Sequence, residues 1–197
     1  MKLPLAFYRR DDIVAVSREL LGKVLYSDGD GRLTGAVITE TEAYAGIIDR
    51  ASHAWGGRRT GRTEPMFGPG GTAYVYLCYG IHHLFNVVVG DVGQPLAILI
   101  RAGAPFVGVD TILERRGKQD VAMSLLSGPG RLAQGLGITT ALTGTSLVAG
   151  NLWIEDEGIS LPAEDVIVGP RVGVDYAGDD AALPYRFRIL YSGSPLR

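Results

Sequence analysis

The sequence predicts an α+β fold: a single domain over residues 1–197, built on a curved, largely antiparallel sheet with flanking helices. Three observations point there. Two pairs of β-rich runs are joined by short glycine-bearing turns, which are hairpin signals. Helical periodicity is confined to a few short segments. No linker, internal repeat or low-complexity tract divides the chain, and 197 residues with 46% hydrophobic content suffice for one core.

The elements follow in order. Asp11 or Asp12 can cap a helix whose apolar residues Ile13, Val14, Val16, Leu20 and Leu21 recur near a 3.6-residue period, with Gly22 as its stop. Residues 23–26 and 33–42 read as strands about the turn 27–31. On the second of these, Glu40 and Glu42 share one face while Thr39 and Thr41 take the other. Residues 45–71 carry seven glycines, two prolines and an arginine cluster, and are expected to be a long irregular segment of functional character. Residues 72–79 and 82–89 form the second hairpin, which puts Tyr79 at or beside its tip. Residues 95–101 read as a buried strand that ends at Arg101, where the side chain can bond a carboxylate or an active-site water. Helices are expected at 107–116 and 131–136, and short strands near 152–155, 166–168, 171–174 and 185–190.

Composition excludes several classes. No apolar stretch approaches the roughly 20 residues of a membrane span, and Met1-Lys2-Leu3-Pro4 lacks the apolar core of a signal peptide. The expectation is a cytoplasmic protein with no targeting signal and no membrane contact. Cys78, the single cysteine, lies in an alternating apolar run and reads as a small buried hydrophobe. The adjacent pair His82-His83 points to opposite faces of a strand, so neither a metal nor another cofactor is expected. The net charge of −2 conceals an asymmetry: residues 155–180 hold eight acids against one base, which leaves the rest of the chain basic.

The chemistry-bearing residues cluster. Glu42 is the candidate general base, although a strand-end glutamate in an ion pair has the same local sequence. Tyr44, His53 and Tyr76 are candidates to hold a planar ring, since stacking on a nucleobase contributes roughly 1–3 kcal/mol; Tyr76 equally fits core packing. Asn86 can read a base edge, or satisfy neighbouring backbone. Arg58, Arg59 and Arg62, with Arg50 and interleaved glycines, suit phosphates, or simply water. Gly130 and Arg131, at the opening of a helix, suit an anion.

Together these residues resemble a known family. Glu-Thr-Glu-Ala-Tyr at 40–44, His53, Met66-Phe67, Tyr-Val-Tyr-Leu-Cys-Tyr-Gly at 74–80 and Asn86 are similar to the alkyladenine (3-methyladenine) DNA glycosylase family. So are Leu99-Ile100-Arg101-Ala102, Ser127-Gly128-Pro129 with Arg131-Leu132, Arg171-Val172-Gly173-Val174 and Gly193-Ser194-Pro195. The resemblance implies that Glu42 activates a water for attack on the sugar C1′ of a flipped nucleotide. Arg101 and the main-chain carbonyl of Val172 would hold that water. Tyr44, His53 and Tyr76 would wall the base pocket, with the backbone N–H of His53 also bonding the base, and Asn86 would disfavour the exocyclic amine of guanine. The β-hairpin would protrude into the DNA minor groove, where Tyr79 fills the gap left by the flipped base.

The implied partner is double-stranded DNA containing damaged purines, met in a prokaryote-like, nucleoid-associated setting by a monomer with no obligate protein partner. No lysine lies near Glu42, so hydrolysis without a lyase step is expected. His82-His83, where relatives carry more apolar residues, and the longer spacing through residues 91–94 depart from the pattern. Two other classes stay open: a noncatalytic nucleic-acid binder of the same fold, and a hydrolase of free nucleosides, which would not need Tyr79.

Overall fold

The computed structural model describes residues 1–159 and 161–189; the resembling segment at 193–195 and the expected strand end at Leu190 lie outside them. Two short helices open the chain, α1 (Leu5–Tyr8) and α2 (Ile13–Glu19). The apolar periodicity of α2 buries Ile13 and Val16, and Leu20 and Leu21 follow into the core. The expected aspartate cap is not made: Asp12 stands at the N-cap, but its carboxylate takes the Arg10 guanidinium, Nε to Oδ1 at 2.9 Å. The guanidinium engages both carboxylate oxygens at once, Nε to Oδ1 and Nη2 to Oδ2, and a bidentate ion pair outcompetes a single N–H bond.

The first expected hairpin forms from β1 (Val24–Ser27) and β2 (Thr34–Tyr44), with Val24 opposite Val37 and Ser27 opposite Thr34. The second forms from β3 (Ala73–Cys78) and β4 (His82–Val89), with Cys78 opposite His82. Then come β5 (Leu96–Val107), α3 (Val109–Arg116), α4 (Pro129–Gly135), β6 (Leu152–Glu155), β7 (Val166–Gly169) and β8 (Arg186–Ile189). The strands join in one antiparallel sheet in the order β3-β4-β5-β2-β1-β6. β8 pairs with β2 at Glu40–Glu42, beyond the end of β1, and carries β7 outside it. One edge of β2 is thus shared by two partners that diverge, and the sheet curls.

Two sequence expectations are corrected here. The strand does not end at Arg101 but runs on to Val107, because Ala102, Gly103 and Ala104 are small enough to pass closely against β2. Pairing jumps from Ile38/Gly103 to Glu40/Ala102 and then to Thr41/Ile100, so Thr39 and Arg101 are each an extra residue in their strands. Such compensating bulges re-aim side chains without losing the ladder. The expected strand at 171–174 is instead a loop, bent at Gly173 (φ +73°), whose backbone turns toward β2 rather than pairing along an edge.

The core lies mainly on one face of the sheet, where Ile38, Val75, Phe85, Val87, Ile98 and Ile100 meet Val16, Leu20, Ile112 and Leu132 from the helices. On the opposite face Tyr74, Val88 and Ala97 are covered by Ala54, Met66 and Phe67. The segment 45–71 is therefore a second lid on the sheet, pinned by the 3-10 turns Gly46–Ile48, Trp55–Gly57 and Glu64–Phe67. No helix among the described residues is long and apolar enough to cross a membrane.

Gly70 holds this lid to the N-terminal helix. A Cβ there would sit 2.2 Å from the Tyr8 carbonyl oxygen and 2.7 Å from that of Gly90, and both oxygens are engaged in backbone bonds. Gly70→Ala is expected to lower stability by about 2 kcal/mol or more in urea unfolding, whereas Gly61→Ala, which meets nothing within 4 Å, changes it by no more than about 0.5 kcal/mol. Equal stability of the two variants would contradict the packing at Gly70.

Candidate active site

The far end of β2 carries Glu42 into a site with no water access of its own: its relative exposure is 0%. Three donors from three segments satisfy it. The Tyr44 hydroxyl donates to Oε2 at 2.8 Å, the Arg101 Nη1 donates to the same oxygen at 3.3 Å, and the Val172 backbone N–H donates to Oε1 at 2.8 Å. A carboxylate offers about four acceptor positions, so one on Oε1 is left for a further donor. Glu40 stands on the same face, as the strand alternation requires, and its Oε1 accepts from Arg101 Nε at 3.0 Å and Arg186 Nε at 2.6 Å. Arg101 thus bridges two carboxylates, and Glu40 orients it. Val172 enters the site through its backbone N–H.

Beside this carboxylate opens a cavity of about 320 Å³, to which Tyr44, His53, Tyr74, Tyr76, Asn86 and Arg101 contribute. The His53 and Tyr76 rings meet edge to face at 4.7 Å, and His53 Nδ1 lies 2.9 Å from the Tyr74 hydroxyl. Burial, helped by Arg62 and Arg58, pushes the His53 pKa down to about 4, so the ring is neutral at pH 7. Burial first, and then the Glu42 charge, raise the Tyr44 pKa well above its ordinary value, which keeps its hydroxyl a donor. The Asn86 amide nitrogen donates to the carbonyls of Tyr74 (3.1 Å) and Leu84 (3.4 Å). With both partners acceptors, the amide orientation is fixed. Cys78 also lines this cavity and is only half-buried, contrary to the expectation of a core residue, because it follows Tyr74 and Tyr76 on the same strand face.

Tyr79 is 91% exposed at the mouth and adopts a left-handed φ of +51°, next to Gly80 at +74°. A non-glycine residue in that conformation costs on the order of 1 kcal/mol. The strain turns an aromatic ring outward from the hairpin.

The basic residues divide. Arg62 lies over the Tyr76 ring, 4.8 Å from its centre, and helps to line both this cavity and an adjoining one of about 360 Å³ that Arg50 and Arg58 also line. Arg59 is instead paired with Glu64 at 2.6 Å and lies over Phe67. At Gly130 the position of a side chain is filled by His82, whose ring lies 3.0 Å from where a Cβ would stand, and Arg131 bonds the Ser127 carbonyl. His83 Nδ1 accepts from the Thr140 N–H at 3.2 Å, so the two histidines seat the hairpin on its neighbours.

Sequence reasoning missed Asp49 and the guanidinium of Arg171. Their side chains form a buried pair, with Arg171 Nη2 2.9 Å from Asp49 Oδ1 and the guanidinium 4.8 Å from the Tyr44 ring centre. Nothing in the local sequence marks Asp49 as buried, and its partner is 122 residues away.

Aromatic walls alone would suffice to bind a flat ring. The clamped carboxylate stands beside them, an arrangement suited to acid/base chemistry on a ring-bearing ligand. Comparison with known proteins makes the class specific. The model of the methylpurine-DNA glycosylase (MPG) family matches residues 6–192. A Bacillus cereus (strain G9842) protein, provisionally named 3-methyladenine DNA glycosylase, is 44% identical over 204 residues, covering 99% of this chain and 98% of its own. Proteins of the same provisional name are 42% identical in Chlamydia felis (95% of each chain) and 40% identical in Desulfitobacterium hafniense (93% of this chain, 92% of the relative). The chain belongs to the methylpurine-DNA glycosylase family of DNA repair enzymes.

The neutral His53 has a stability signature. Its depressed pKa means that the unfolded state takes up a proton between about pH 6.5 and 4 while the folded state does not. Stability present above pH 6.5 is therefore lost as pH falls through that window, by on the order of 3 kcal/mol. In urea titrations at pH 7.5 and 4.5, His53→Gln is expected to lose correspondingly less than wild type; an identical loss in both would contradict the assignment.

Proposed function

We propose that this chain removes damaged purines from duplex DNA by flipping the nucleotide into the cavity and hydrolysing its N-glycosidic bond with a water activated by Glu42. The observation that carries this reading is the three-donor clamp on Glu42 with one acceptor position unspent beside aromatic walls. Water oxygen bonds to C1′ as the C1′–N bond breaks; the bonding pair leaves with the base, and the water's proton passes to Glu42. Arg101 and the Val172 main chain hold the reacting groups in line, and the product is an abasic site. With no lysine in the clamp, no Schiff-base step follows.

The surrounding residues take roles that suit this substrate. A base inside a duplex is beyond the reach of any carboxylate, so it must be rotated out at a cost of a few kcal/mol, least for a damaged or mispaired one. Tyr79 offsets that cost by filling the vacated space from the minor groove side. Tyr44, His53 and Tyr76 hold the ring, and the neutral His53 does not repel an alkylated, cationic purine. Asn86, held in place by two backbone carbonyls, narrows the pocket sterically against the extra amine of guanine. Arg58 and Arg62 in the adjoining cleft meet phosphates, and Arg59, paired with Glu64, contributes less.

Two measurements test the assignment. On duplexes bearing hypoxanthine or 1,N6-ethenoadenine, or on methylated DNA, wild type is expected to release free base and leave alkali-labile sites. Glu42→Gln should lower the single-turnover rate by about 10²-fold or more while leaving duplex affinity within a few-fold; a wild-type protein without release, or a variant with full release, would refute the mechanism. Tyr79→Ser is expected to cut excision from duplex about tenfold and to spare excision of the same base from single strands. If it changed neither, a hydrolase of free nucleosides would be the better reading.

A further inference from the structure

The proposed chemistry leaves the pair of Asp49 and Arg171 without a part, although their side chains are 1% and 0% exposed. Such a pair is costly to bury and often contributes little net stability compared with apolar residues of the same size. Arg171 Nε is moreover buried with no partner among the described residues, a further cost. What the pair does achieve is connection. Arg171 Nη1 donates to the Ala43 carbonyl at 2.9 Å, between Glu42 and Tyr44. Nη2 donates to the Asp180 carbonyl at 3.1 Å, in the 3-10 segment Asp175–Ala182 that carries Tyr176. Asp49 accepts the N–H groups of Ala45 and Ala51, each at 2.9 Å, and so shapes the turn that leads to His53. One residue beyond the Arg171 backbone, the Val172 N–H reaches Glu42.

We propose that Asp49 and Arg171 are a positioning pair for base release: their bidentate contact fixes the Val172 N–H on Glu42 and the Tyr44 ring opposite His53. This rests on the hydrolytic reading of Glu42. A shift of about 1 Å at Arg171 would stretch the Val172 bond out of hydrogen-bonding range and misdirect the carboxylate, and misplacements of that size cost about 10²-fold in rate. The pair touches no substrate, so its contribution falls on the chemical step rather than on DNA affinity.

The experiment compares Arg171→Met, Asp49→Asn/Arg171→Met and wild type by urea unfolding, by single-turnover base release, and by affinity for a duplex carrying a tetrahydrofuran abasic analogue. Arg171→Met orphans a buried carboxylate, so its unfolding midpoint drops. The double variant removes the orphan and regains most of that midpoint. Its release rate is nevertheless expected to stay at least tenfold below wild type, with duplex affinity within threefold. A merely structural role predicts that rate returns together with stability, and that result would overturn the proposal. Should the double variant not fold, Asp49→Glu keeps both charges and displaces the contact by one methylene; a folded Asp49→Glu protein with the wild-type rate overturns it equally. A wild-type protein that releases no base overturns the hydrolytic reading, and this inference with it.

Discussion

A carboxylate with no exposed surface is the constraint around which the molecule is arranged. Left without donors, a buried ionised Glu42 would cost several kcal/mol, so the fold must bring N–H and O–H groups to it from elsewhere. It does so from three places: Tyr44 two residues along β2, Arg101 on the neighbouring β5, and Val172 on a loop 130 residues away. Each delivery imposes a structural feature. The bulges at Thr39 and Arg101 turn the guanidinium toward both carboxylates, and the loop at 171–174 forgoes strand pairing so that its N–H is free to turn inward. On the reverse face Thr41 bonds the Ser17 carbonyl at 2.8 Å, tying the same strand to α2.

The uneven charge of the chain acquires a spatial meaning from the sheet order. Glu155, Asp156 and Glu157 lie on or just past β6, at the opposite end of the order from β3 and β4, whose hairpin carries Tyr79. There they pair with the N-terminus, Lys23 and the Tyr26 hydroxyl. The cleft of Arg50, Arg58 and Arg62 lies beside the aromatic cavity instead, where Asp180, from the acidic segment 175–180, accepts the Arg50 N–H at 2.8 Å. A small negative net charge therefore does not set the field where a polyanion would approach; the local distribution does.

Legibility followed the range of the interactions. Both hairpins, the length of β4 and the shared face of Glu40 and Glu42 were readable because alternation and turn residues are local signals. The bulge at Arg101 was not, since an extra residue in a strand leaves the apolar pattern unbroken on both sides, and the arginine then reads as a terminus. The loop at 171–174 looked like a strand for a related reason: Val172 and Val174 are β-formers, but tertiary bonds to Glu42 and Asp49 override that preference. Within the site, Tyr44, His53, Tyr76 and Asn86 line one cavity, and Glu42 stands behind its wall, bonded to Tyr44, Arg101 and Val172, which line it too. Asp49 was hidden because burial depends on a partner far along the chain. Cys78 was misjudged because the apolar run around it lines a cavity instead of the core.

Three of the five tyrosines that line the cavity share a property that phenylalanines would lack: each is tethered by its hydroxyl. Tyr44 is bonded to Glu42, Tyr74 to His53, and Tyr176 to the Ala51 carbonyl at 3.1 Å. A ring fixed at both ends is a wall whose position is set before any ligand arrives, and little ordering remains to oppose binding. Rigid walls discriminate by width and by the few polar atoms between them, not by adapting. In such a pocket a small fixed group such as the Asn86 amide, locked by two carbonyls, has leverage out of proportion to its size, because a ligand that does not clear it cannot be relieved by a moving wall. On the proposed reading the same tether joins recognition to chemistry: the Tyr44 ring that lines the cavity and the hydroxyl that holds Glu42 are one side chain, so a ligand that displaces the first disturbs the second.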